Sequence, residues 1–115
     1  MTDDHPGLVA EVFTEPTGNT VALAGDLDLA TVDVLIGRAG SALEQGKPGT
    51  LTLDFAGVRF CDSVGIGALV QLRQRCDHAG WQLRVVNMQP SVRRTLVDLC
   101  GLGSYLNVVE TPTMG

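Results

Sequence analysis

Apolar residues return along the chain in two rhythms, one of period two and one near 3.6, and the alternation between them sets out the elements. Leu8-Val9-Ala10-Glu11-Val12-Phe13-Thr14 is extended in character, and Glu15-Pro16-Thr17-Gly18-Asn19 carries the residue types of a turn. Thr20-Val21-Ala22-Leu23-Ala24 follows as a second strand ended by Gly25, so a hairpin opens the domain. Asp28 then stands as N-cap of a helix whose apolar stripe is Val32, Leu35, Ile36, Ala39 and Leu43. Gly37 and Gly40 each weaken that helix by about 1 kcal/mol against Ala, which suits a helix seated close on a sheet. Gly46-Lys47-Pro48-Gly49 stops it.

Leu51-Thr52-Leu53-Asp54-Phe55 reads as a short buried strand, with Ala56 to Cys61 as the connection to a second helix starting at Asp62. Gly65, Ala68, Leu69, Leu72, Cys76 and Ala79 form the buried stripe of that helix, and Gly80 closes it. Gln82 to Asn87 is the next strand. Pro90 suits a first helical turn, Val92, Leu96, Leu99 and Cys100 follow at helical spacing, and Gly101 is the stop. Tyr105 to Val109 reads as a last, edge strand. The predicted order β-β-α-β-α-β-α-β describes an α/β domain, a mixed, largely parallel β-sheet with an opening β-hairpin and helices packed on it. No internal repeat is visible. Residues 1–115 are expected to form a single domain with its core at about 8–109 and a frayed tail from Glu110 to Gly115.

Composition refines this picture. Aromatic residues make up only 4% of the chain, so the core must be built mainly from Val, Leu, Ile and Ala. The formal charge of −5 is unevenly spread, with nine acids against two bases in residues 1–57 and four against six in 58–115. No basic stripe is present, which argues against nucleic acid as a partner, because phosphate neutralisation needs clustered Lys and Arg. No apolar run reaches the ~18 residues of a membrane span. The acidic opening Met1-Thr2-Asp3-Asp4-His5-Pro6 does not resemble a secretory signal, and a cytoplasmic location is expected. Cys61, Cys76 and Cys100 are an odd count without a CxxC pair, as expected of reduced thiols acting as small core residues.

The segment that suggests chemistry is Asp62-Ser63-Val64-Gly65-Ile66-Gly67, a strand-to-helix junction with a serine and two glycines in the first helical turn. First-turn N–H groups have no intrahelical acceptor and the helix dipole favours negative charge, so a phosphoryl group on Ser63 would be tolerated there. Gly65 and Gly67 remove side chains and would let another protein's backbone approach. The same residues also fit a plainer reading, in which Asp62 or Ser63 is an N-cap and the glycines serve packing. Along the helix, Val64, Gly67, Val70, Gln71 and Gln74 are expected outward or sideways, with Val64 and Val70 as apolar anchors.

Three enzyme-like or ligand-binding readings fail on the residues. The nucleophile-elbow pattern G-x-S-x-G is broken by Cys61, and His78 lies about 22 Å from Ser63 along one helix. A phospho-aspartate receiver could draw on Asp26, Asp28, Asp54 and Asp62, but it also needs a lysine by the last strand, and the sole lysine is Lys47 in a loop. A dinucleotide site lacks its third glycine, since Val70 stands there.

The combination of motifs resembles the STAS family, and within it the bacterial anti-sigma factor antagonists. Asp62, Ser63, Gly65, Ile66 and Gly67 match that group's D-S-[ST]-G-[LIM]-G signature, and Gly25-Asp26-Leu27-Asp28 its G-E-L-D-like one. Asn87 to Leu96 and the Gly101-Leu102 step match further, so the resemblance spans about residues 8–109. The resemblance implies that Ser63 is the phosphoacceptor and that Asp28 supports phosphorylation or docking. It implies that Asp26, Asp62, Val64, Gly65, Ile66, Gly67 and Val70 surround the phosphosite. It further implies that the unmodified chain binds an anti-sigma factor that is also a serine kinase, releasing its sigma factor. Phosphorylation then ends binding, and a serine phosphatase restores it. ATP would be bound by the partner kinase, with no cofactor, metal or catalytic residue in this chain, which is expected to be a monomer when free. Val64 stands where Ser or Thr is commoner, and Asp26 replaces the more frequent Glu. Other members of the family suggest a different role, a scaffold or regulatory subunit, for example of a lipid-transport complex, whose serine is never phosphorylated. Redox gating through Cys61 and Cys100 is a further reading.

Overall fold

The computed structural model describes residues 7–109, so the acidic leader and the expected frayed tail lie outside the described residues. Its opening hairpin joins β1 (Leu8–Glu15) to β2 (Gly18–Leu27), paired antiparallel from Leu8↔Gly25 to Glu15↔Gly18. Parallel pairing then adds β3 (Thr50–Cys61) to β2 and β4 (Gln82–Val86) to β3, giving the order β1-β2-β3-β4. The crossovers are α1 (Val32–Leu43) and α2 (Ser63–Ala79). After β4, α3 (Pro90–Arg93) runs directly into a π-helical segment, π1 (Arg94–Leu99). Val21, Leu23, Leu51, Leu53, Phe55, Leu83 and Val85 point from the sheet into a core shared with Leu35 and Ala39 of α1 and Leu69 and Leu72 of α2.

β3 is twice as long as the alternation of Leu51, Leu53 and Phe55 suggested. Two register breaks against β2, between Ala22 and Ala24 and between Gly25 and Asp26, shift the inward positions to Val58 and Cys61. Burial therefore recurs every three residues, and the period-two signal fades although the strand continues. Gly57 sits at the first break, where a Cβ would come within 2.6 Å of Ala24 Cβ.

α1 begins later than expected. Thr31 is its N-cap residue, while Asp28 closes a turn one step earlier by accepting from the Ala30 N–H at 3.0 Å. Its fully buried face is Leu35, Ala39, Gly40 and Ala42, with Val32, Ile36 and Leu43 at the margin. Gly40 permits close approach, but to α2 rather than the sheet, since a Cβ there would lie 3.0 Å from the Arg75 guanidinium. Gly37 is exposed with nothing within 4 Å of a Cβ. Gly37→Ala should therefore stabilise the protein by about 0.4–1 kcal/mol, read as a rise of a few degrees in the melting temperature.

Three features at the C-terminal side depart from the sequence pattern. Ala79 is exposed, and the buried Trp81 side chain fills that end of the core instead, while the Trp81 backbone N–H donates to Cys76 O at 2.8 Å. The π turn, with Cys100 N–H reaching Thr95 O at 3.1 Å, inserts an extra residue and rotates Leu99 and Cys100 outward while Leu96 stays buried. The expected edge strand at 105–109 is reduced to one parallel bridge, Val85↔Val108. Residues 103–107 form a turn, Asn107 takes the left-handed conformation (φ 56°), and extension is lost while Leu106 reaches the core. Arg73 of α2 holds this turn by donating to Tyr105 O and lying 4.8 Å from its ring centroid.

Candidate functional site

The parallel register brings two strand ends together. Asp26 pairs with Phe60 and Leu27 with Cys61, and Asp62 N–H donates to Leu27 O at 3.1 Å. The chain leaves β2 into the Asp28 turn and leaves β3 into α2 at neighbouring points on the same edge. Asp62 is the N-cap of α2, extended in backbone, and its Oδ1 accepts from the N–H groups of Val64 (3.0 Å) and Gly65 (3.1 Å). Ser63 is the first helical residue, exposed, with no side-chain hydrogen bond among the described residues. The first turn therefore holds an anion already, and a phosphoryl group on Ser63 would stand beside the Asp62 carboxylate rather than take those two donors for itself.

The two glycines differ in purpose. A Cβ on Gly65 would lie 2.8 Å from Leu27 Cγ and Leu27 O and 2.9 Å from Cys61 Sγ, so this glycine seats α2 on its own strand ends. Its expected role in admitting another backbone is thereby corrected. Gly67 is exposed and open, with nothing within 4 Å. Val64 is exposed, Val70 half-buried, Gln71 and Gln74 exposed, and Ile66 half-buried against the core.

Asp26 and Asp28 meet through a residue that sequence reading passed over. Thr31, almost fully buried, donates its hydroxyl to Asp26 O (2.7 Å) and accepts from the Asp28 N–H (3.0 Å). The signal was the spacing of Asp28 and Thr31, a turn closed by side chains at both ends. Asp54 is held apart, accepting from Ala56 N–H and Asn87 Nδ2. Among the described residues no group of three or more His, Cys, Asp or Glu could hold a metal ion. No described helix is long and apolar enough to cross a membrane.

Burial, then the Asp62 charge, then the Cys100 thiol push Cys61 up to about 12. Burial and the Asp77 charge raise Cys76 to about 11, against the opposing effect of Arg73 and Arg75. Both thiols stay protonated and unreactive at neutral pH. A thiol reagent at pH 8 should modify one exposed cysteine, Cys100, in the folded protein, and Cys61 and Cys76 only on unfolding. Above about pH 9 the unfolded chain releases thiol protons that the folded chain keeps. The stability these two groups contribute below pH 9 should thus decline as the pH climbs towards 11, measurable by denaturant titration.

A hairpin-led sheet with its crossover helices on one face, and an exposed serine at the head of the second, defines a small α/β domain built around a strand-end surface. A family model described as "Mlab, STAS domain" matches residues 12–108, and the chain belongs to the STAS domain family. It is 28% identical over 90 residues to the anti-sigma F factor antagonist of Paenibacillus polymyxa, covering 78% of this chain and 76% of that one. An anti-sigma factor antagonist from Mycobacterium paratuberculosis has a similar structure (TM-score 0.76, 22% identity, 90% of this chain and 86% of that chain). SpoIIAA is similar in its unphosphorylated form (TM-score 0.70, 21% identity, 89% of each chain). So is the Bacillus SpoIIAA in its phosphorylated form (TM-score 0.62, 21% identity, 89% and 92%).

Proposed function

We propose that this chain is an anti-sigma factor antagonist switched by phosphorylation of Ser63. The unmodified form binds an anti-sigma factor that is also a serine kinase, and this frees the sigma factor. The kinase, which supplies the ATP site, modifies Ser63 and the complex parts; a serine phosphatase resets the cycle. The chain itself performs no chemistry and works in the cytoplasm, where its partners are.

The observation that carries this reading is the exposed Ser63 beside a carboxylate that already occupies the first-turn donors. A phosphoryl group brings about −1.5 to −2 charges next to Asp62 and has few donors of its own to settle on. It stays fully hydrated, and stripping that water inside an interface costs several kcal/mol. The relatives' names, and the solved phosphorylated and unphosphorylated forms of SpoIIAA, support the same reading. Asp28 and Asp26, fixed through Thr31, are assigned to docking, with Asp62, Val64, Gly67 and Val70 along the head of α2.

The test is the intact mass of protein purified from its own host, with its co-purifying partners, alongside Ser63→Ala. One added phosphate, about 80 Da, absent from the variant, together with an anti-sigma factor that transfers it from ATP, is the expected result. A chain that is never modified and travels with a membrane transporter would replace this reading with a STAS scaffold subunit.

A further inference from the structure

We propose that the open edge of β1 is a docking surface of its own, which takes an extended, basic segment of a partner protein as an added strand of the sheet. It lies outside the residues assigned to the Ser63 switch and does not depend on that function.

The two edges of the sheet differ. The chain itself closes the β4 edge, where Val85 N–H donates to Asn107 O at 3.2 Å and Val109 N–H to Val85 O at 2.8 Å. The β1 edge has no such cover, since among the described residues the backbone partners of β1 all lie in β2. Edge strands are ordinarily shielded by short length, a bulge, a proline or a lysine. β1 has none of these: Leu8–Glu15 stays in unbroken register with β2 over its 8 residues and contains neither Pro nor Lys. Leu8 and Ala10 anchor its inner face in the core, so the edge is preformed and binding need not order it. On its outer face Val9 (48% exposed) and Phe13 (51%) alternate with the exposed Glu11 and Glu15.

Charge identifies the occupant. Residues 1–37 hold seven acids and no Lys or Arg. Among the described residues neither Glu11 nor Glu15 forms an ion pair; Glu15 Oε1 accepts from the Thr20 hydroxyl at 2.8 Å, which leaves its charge unbalanced. A second copy fits this edge poorly. A two-fold dimer through β1 is antiparallel and keeps like faces together, so its longest registers centre on Glu11 or on Val12. The first sets Glu11 against itself, and the second leaves each Glu11 diagonal to both glutamates of the other copy, so either register repels. A strand with Lys or Arg opposite Glu11 and Glu15, and apolar residues opposite Val9 and Phe13, gains attractive cross-strand pairs as well as the backbone ladder.

The test is an NMR titration of the full chain with the end-blocked synthetic peptide Lys-Thr-Val-Thr-Lys-Thr-Val-Thr. Laid antiparallel on β1, it sets its lysines against Glu15 and Glu11 and its valines against Phe13 and Val9. At low salt it should bind about tenfold more tightly than the same peptide with Glu in place of Lys, and slow hydrogen exchange at alternate amides of β1. Glu11→Lys, an exposed substitution, should melt near wild type and weaken the lysine peptide while strengthening the glutamate one. N-methylation of the peptide at its threonines, or at its other positions, blocks one edge or the other without changing charge. One of these two versions should lose binding and the other keep it. Equal binding of both, or of the lysine and glutamate peptides, would show charge attraction or plain adhesion without strand addition, and the proposal would fall. It would fall equally if the lysine peptide failed to bind at millimolar concentration. Slow exchange at the β1 edge without peptide, in a chain that sediments as a dimer, would give the edge to a second copy instead.

Discussion

On the proposed function, phosphorylation of Ser63 should weaken binding to the anti-sigma factor at least 100-fold, a loss of about 3 kcal/mol. The size follows from the local geometry. Asp62 already accepts from the Val64 and Gly65 N–H groups, so the phosphate dianion cannot be neutralised by the helix head and must be desolvated or the interface must open. Ser63→Ala should bind within about threefold of wild type and resist switching, because the hydroxyl has no hydrogen bond to lose among the described residues. Ser63→Asp, with one charge in place of nearly two, should fall between them. Titration calorimetry on the four forms gives the order directly; a phosphorylated form binding within tenfold of wild type would remove charge as the cause of release.

The largest structural effect at the site should come from Gly65→Ala, about 1–3 kcal/mol of stability. The added methyl meets a carbonyl oxygen, a buried leucine and a buried sulfur at 2.8–2.9 Å, and none of these is the loose end of a flexible chain. The first turn of α2 has to lift from the strand ends, straining the Asp62 to Leu27 hydrogen bond that aligns them. Gly67→Ala, two residues on and in open space, should leave stability unchanged or slightly raised. Parallel denaturant titrations of the two variants separate the roles: equal destabilisation would mean that α2 is not seated through Gly65.

Sequence alone determined the elements whose cause is local. The hairpin around Pro16-Thr17, the inward stripe from Gly65 to Cys76, Pro90 at the head of α3 and the left-handed glycines that stop helices at Gly80 and Gly101 all follow from side-chain period and backbone preference. The candidate serine was legible for the same reason, since a strand followed by Asp-Ser places it at a helix head. Contacts between distant residues decided the rest. The reach of β3 to Cys61 depends on bulges against β2, and the fate of residues 105–109 on the Asn107 conformation and the grip of Arg73 on Tyr105. The packing role of Gly65 depends on Leu27 and Cys61, and the exposure of Leu99 on a π turn. Periodicity records which face of an element is apolar; register, close approach and the atoms across the gap exist only once strands far apart in the chain have paired.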